Sequence, residues 1–81
     1  MAEEIAKKIG EKIREFRQQK GFTLKELSEK SGISTSMISK IETAQTLPPI
    51  STYANIASGL GISFGELFQL DLQEPDISIG L

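Results

Sequence analysis

Thr35, Ser36, Ser39 and Lys40 put three hydroxyls and one ammonium within six residues, while Ile33, Ile38 and Ile41 interleave with them. On a helix this spacing separates a polar, free face from an apolar, buried one. Hydroxyls that donate or accept, together with one fixed cation, equip a surface to recognise a partner by hydrogen bonds and charge. Bond-making chemistry has little support here. The chain has no cysteine and no histidine, so disulfides, thiolate metal sites and the commonest general base are excluded. Ser-Lys combinations occur without an accompanying base or metal set, which places an enzyme last among the function classes. No cofactor is expected.

The polar face has to be positioned by its neighbours. Thr23 and Glu26 are spaced as a capping box, which opens a helix running from Leu24 to Ser31. Gly32 follows where a positive φ is needed to stop that helix, and Ser34 can then cap the next one, expected over about residues 35–43. Leu27, Ile33, Ile38 and Ile41 supply the apolar contacts that fix the angle between the two helices, and small Ser28 lets them approach.

Ahead of this pair, Ile5, Ile9, Ile13 and Phe16 recur at helical spacing and predict a first helix over about residues 3–19, ended by Gly21. Behind it, Pro48-Pro49 interrupts the chain. Ile50, Tyr53, Ile56, Ala57 and Leu60 then form one face of a fourth helix stopped by Gly61. Gly59 inside that helix costs about 1 kcal/mol relative to alanine, which points to a close packing contact. Ser63 and Glu66 form a second capping box ahead of Phe64, Leu67 and Phe68, a short fifth helix whose aromatics are expected to close the core. The expected fold is all-α, five helices over residues 1–70. Residues 71–81 contain the helix breaker Pro75 and an alternating run from Asp76 to Leu81, so they are expected to be a tail, linker or dimerisation segment.

The glycine-turned helix pair, followed by Ile41-Glu42, Pro48, Ile56-Ala57-Ser58-Gly59-Leu60-Gly61-Ile62-Ser63 and Glu66-Leu67-Phe68, resembles the repressor-like helix-turn-helix family of Cro and phage repressor type, the XRE family. The resemblance runs from about Ile9 to Phe68. It implies sequence-specific binding of duplex DNA by a transcriptional regulator, with the second helix of the pair in the major groove. Carried over residue by residue, the base-reading positions fall on Thr35, Ser36, Ser39 and Lys40. The phosphate contacts fall on Thr23, Lys25, Ser34, Gln45 and Thr46. The resemblance also implies a buried ion pair between Arg17 and Glu42 that orients the reading helix. The chain has Leu24 where many members carry glutamine, Thr35 where arginine is frequent, and Thr43, Gln45 and Thr46 where basic residues follow the reading helix. These departures imply weak affinity for a single domain. Binding as a homodimer on a two-fold operator is expected as part of the same reading. Many members continue into a ligand-sensing domain, and the chain is expected to be the DNA-binding part of such a longer regulator.

Charge fits this division of labour. The formal net charge is −2, yet all nine Lys and Arg lie between Lys7 and Lys40. With five carboxylates in the span from Ile5 to Glu42, that span carries +4, while residues 43–81 hold four acidic residues and no basic one. Such segregation is the mark of one binding end and one solubilising or partner-facing end. The N-terminus lacks the apolar run of a signal peptide, and the longest uncharged stretch, Thr43 to Gly65, contains prolines and glycines that bar it from spanning a membrane. A cytoplasmic location is expected. The competing function is a helical protein-interaction module, such as an antitoxin-like or anti-repressor partner, that uses the acidic C-terminal half.

Overall fold

The computed structural model describes residues 2–69, and the expectation for residues 71–81 lies outside them. Five helices follow in order: α1 (Ala2–Gln19), α2 (Leu24–Ser31), α3 (Thr35–Glu42), α4 (Ile50–Leu60) and α5 (Phe64–Leu67). There is no strand among the described residues, and no helix among them is long and apolar enough to cross a membrane.

Local chemistry sets the helix ends. Thr23 Oγ1 accepts from the Glu26 amide at 3.0 Å while the Glu26 carboxylate accepts from the Thr23 amide at 2.8 Å, so α2 begins with two of its orphan donors satisfied. Ser63 and Glu66 repeat the arrangement at α5, at 3.1 and 2.8 Å. Gly32 closes α2 in the left-handed region at φ 76°, its amide donating to the Ser28 carbonyl, and Gly61 ends α4 in the same way. A side chain at either position would be strained.

The core forms where the helical stripes converge. Ile9, Ile13, Leu27, Ile38, Ile41, Ile56, Leu60 and Leu67 are fully buried, and Ile5, Phe16, Ile33 and Phe68 pack against them half-buried. α2 packs chiefly on α4, and α1 chiefly on α3. Gly59 explains the first closeness: a Cβ there would stand 2.9 Å from that of Ser31, so α4 meets the end of α2 almost backbone to side chain.

Two apolar positions depart from expectation. Ile50 shares the helical face of Tyr53 and Ala57 yet is 66% exposed. It is the first residue of α4, and because helical side chains lean toward the N-terminus, it projects past the helix end rather than onto the core. Phe64 does not close the core either. It is 39% exposed and stacks on Phe68 with ring centroids 4.6 Å apart, while Phe68 meets Tyr53 edge-on at 5.5 Å.

Tyr53 is buried, and its hydroxyl has no hydrogen-bond partner among the described residues. An unpaired buried hydroxyl costs about 1–3 kcal/mol, so Tyr53→Phe should leave stability unchanged or raise it by about 1 kcal/mol in urea unfolding. Burial also pushes the phenol pKa above its ordinary value of 10.0. Unfolding releases the group to titrate normally, so its contribution is intact below about pH 10 and declines as pH rises through the folded value. The phenylalanine variant should lose that part of the alkaline decline. A drop of 2 kcal/mol or more on substitution would show that the hydroxyl is paired after all.

Candidate nucleic-acid interface

α3 carries the polar face. Ser34 caps it with Oγ accepting from the Met37 amide at 3.1 Å, which spends the Ser34 hydroxyl acceptor on the helix itself. Ile38, Ile41 and Glu42 turn inward and are buried, whereas Thr35, Ser36, Ser39 and Lys40 are all exposed. At 100° per residue, Ser36, Lys40 and Thr43 lie on the side opposite Ile38, with Ser39 on their flank. Met37, which sequence reasoning passed over, flanks this face and is 38% exposed.

The far end of α3 is held in three ways. Thr43 Oγ1 donates to the Ser39 carbonyl at 2.8 Å and accepts from Gln45 Nε2 at 2.9 Å. The chain then reverses through Ala44, which sits at φ 60°, a conformation that costs a non-glycine residue about 1–2 kcal/mol. The reversal lets the Ala44 and Gln45 amides donate to the Ile41 and Lys40 carbonyls at 3.1 and 2.8 Å. Those two amides are therefore committed to the helix terminus and are not free donors for a phosphate. The Gln45 side chain is exposed and Thr46 half-buried beside it.

The second hold is an ion pair. Arg17 Nε and Nη2 donate to the two Glu42 carboxylate oxygens at 2.7 and 3.0 Å, a bidentate fork, and Nη1 donates to the Phe22 carbonyl at 3.0 Å. The side chains are only 13% and 6% exposed. The hydrogen bond to Glu42 raises the Arg17 pKa against the opposing pull of burial, with the carboxylate's charge adding to it. Arg17 is thus charged at every ordinary pH, and its share of the pair's stability is lost only far on the alkaline side.

The third hold is Gly10, where a Cβ would overlap the Ile41 carbonyl oxygen and stand 2.9 Å from that of Glu42. Gly10 and Arg17 are seven residues apart and so share a face of α1. Both grip the end of α3. The clue in the sequence was a glycine within a run of good helix formers, the same signal that marked Gly59.

Around the first turns, Thr23 and Lys25 are exposed at the start of α2. Three other basic side chains make their contacts elsewhere. Lys12 Nζ donates to the Gln69 carbonyl beyond α5, Lys30 lies over the Phe22 ring at 5.0 Å, and Lys20 reaches the α4 terminus, 3.9 Å from where a Cβ on Gly61 would be. With Arg17 paired to Glu42, these four members of the basic excess are spread over separate contacts rather than collected in one patch.

Two short helices joined through a left-handed glycine, the second presenting small polar side chains outward and pinned from behind, define a helix-turn-helix domain. The chain belongs to the HTH_3 helix-turn-helix family, whose model matches residues 13–67, which bears out the resemblance to regulators of Cro and repressor type. It is 34% identical over 62 residues to the HTH-type transcriptional regulator SutR of Escherichia coli, covering 76% of this chain and 35% of SutR. It is 39% identical over 56 residues to the HTH-type transcriptional regulator SinR of Bacillus subtilis, covering 68% of this chain and 50% of SinR. Among solved structures, an HTH_3 family transcriptional regulator from Vibrio cholerae superposes with a TM-score of 0.81 at 29% identity, over 84% of this chain and 38% of that one. The chain thus spans between about a third and half of these relatives' lengths.

Proposed function

We propose that this chain is the DNA-binding domain of a cytoplasmic transcriptional regulator and reads duplex DNA with α3 in the major groove. The observation that carries the proposal is the outward polar face of α3 on a helix fixed from behind by the Arg17–Glu42 fork. A major groove about 12 Å wide admits a helix, and each base pair shows there its own donor and acceptor pattern. Thr35, Ser36 and Ser39 are short enough to bring the helix backbone close to base edges. Thr35 also offers a methyl to thymine, and Lys40 reaches guanine O6 and N7 or a phosphate. Thr23, Lys25, Ser34, Gln45 and Thr46 fix the register on the backbone, Thr23 and Ser34 through the helix starts they cap. The chain acts as a homodimer, with half-sites about 34 Å apart on one face of a two-fold operator.

Selection of bound sequences from a random duplex pool, followed by titration at several salt concentrations, tests the proposal. Affinity for the selected duplex should fall with a log-log slope of about −0.9 for each phosphate neutralised. With Lys25 and Lys40 as the cations assigned to the interface, the slope for one domain should be shallow, corresponding to about two or three phosphates. No enriched sequence, together with binding indifferent to salt, would contradict the proposal and favour a protein-interaction module.

A further inference from the structure

We propose that Glu3 is a built-in brake on backbone binding: its carboxylate repels the phosphates that the α3–α4 loop would otherwise hold, and so limits how tightly one domain grips any duplex. The inference rests on the DNA reading above and deepens it, since it concerns the phosphates beside Gln45 and Thr46.

Glu3, Gly10 and Arg17 follow one another at seven-residue spacing, so all three share one face of α1. Arg17 and Gly10 meet the end of α3, the first at the Glu42 carboxylate and the second at the Ile41 and Glu42 carbonyls. From Gly10 the helix runs on toward its N-terminus for two further turns, about 10 Å. That run carries Glu3 past the end of α3 and beside the loop that follows it. There Glu3 and Ala6 line a surface hollow of about 210 Å³ together with Ala44, Gln45, Thr46 and Leu47.

Charge in this hollow has one sign. No Lys or Arg lines it, and the loop has none to offer, because no charged residue occurs from Thr43 to Gly65. Glu3 is exposed and forms no salt bridge among the described residues; Lys7, one turn along α1, is exposed too and does not pair with it. A hollow this small keeps the groups around it within roughly one Debye length of each other, about 10 Å at 0.1 M ionic strength. A phosphate held by Gln45 or Thr46 therefore meets the Glu3 carboxylate only partly screened.

A carboxylate in the first turn also suits the helix macrodipole, and Glu4 separates that role from the brake. Glu4 stands in the same turn and is exposed, but it does not line the hollow. The helix end loses as much from Glu4→Gln as from Glu3→Gln, whereas Glu3 is the one beside the loop. Because the backbone is the same in every sequence, the brake acts on all duplexes alike and carries no preference.

Titration of Glu3→Gln, Glu3→Lys and Glu4→Gln in the full 81-residue chain, onto the selected duplex and a scrambled one at about 50 and 200 mM salt, tests the inference. At the lower salt Glu3→Gln should tighten both duplexes about threefold and Glu3→Lys about tenfold. Each gain should shrink at the higher salt as screening grows. Glu4→Gln should stay within about twofold of the wild type, and all three variants should melt within a few degrees of it.

Glu3 variants that bind no tighter than the wild type would overturn the inference. So would a Glu4→Gln gain equal to that of Glu3→Gln, which would assign the effect to net charge or the helix end, or a gain confined to one of the two duplexes. The two readings fail differently. A wild-type chain that selects no duplex sinks the DNA reading and the brake with it, while a wild-type chain that binds its selected duplex no less tightly than the Glu3 variants leaves the DNA reading standing and removes the brake alone.

Discussion

Glu42→Ala should destabilise the domain by about 3–5 kcal/mol, the range seen when one partner of a buried ion pair is removed and the other left uncompensated. Glu42 is buried at the end of α3, and its loss leaves the Arg17 guanidinium with the Phe22 carbonyl as its remaining hydrogen-bond partner among the described residues. The comparison that separates the pair from simple loss of packing is Arg17→Met with Glu42→Leu. Replacing both ends removes the stranded charge, so the double variant should be more stable than Glu42→Ala. Urea unfolding of the two single variants and the double variant closes the cycle. A coupling energy near zero would mean that the two residues act independently and that the fork does not orient α3.

Gly10→Ala should be costly for a different reason. Alanine is the better helix former by about 1 kcal/mol, so α1 considered alone predicts stabilisation. The added methyl would run into the backbone carbonyls of Ile41 and Glu42, which cannot rotate out of the way as a side chain can. Relief requires α1 and α3 to separate, which would open the core that Ile9, Ile13, Ile38 and Ile41 help to fill. Overpacking of this kind costs typically about 1–3 kcal/mol, and a backbone-to-backbone contact belongs at the upper end. Thermal unfolding checks the sign directly, and a raised melting temperature would show that the two helices are not in tight contact. Because the same contact aims α3, Gly10→Ala should also weaken duplex binding beyond its effect on stability.

The helix boundaries were legible because each rests on a local rule. The two capping boxes and the left-handed glycines at Gly32 and Gly61 depend only on neighbours a few residues away, and these features stand where residue type predicts. The Arg17–Glu42 fork spans 25 residues, and nothing local in the sequence reveals it. Family resemblance supplied it. The exposure of Ile50 and Phe64 was misread because periodicity says which way a residue faces and not whether anything stands opposite it. Gly10 went unnoticed for the complementary reason: its importance lies in a missing atom, and the carbonyls that would collide with that atom come from more than 30 residues further on. Charge was also deceptive. A basic excess along the chain becomes a patch only if the fold gathers it, and here Lys12, Lys20 and Lys30 are drawn to other parts of the surface.

The central claim is that α3 reads base edges while the start of α2 grips the backbone, and a single paired titration tests it most directly. Ser36→Ala and Lys25→Ala are each measured against the selected duplex and against duplexes altered at single positions. Both residues are exposed, so neither substitution should disturb the fold. Ser36→Ala should relax preference at one operator position by about 1–3 kcal/mol and leave binding to duplexes already altered there nearly unchanged. Lys25→Ala should weaken binding to every duplex by a similar factor and reduce the salt slope by about one. If both variants changed every duplex by the same factor, α3 would not be the reading helix and the account would be wrong.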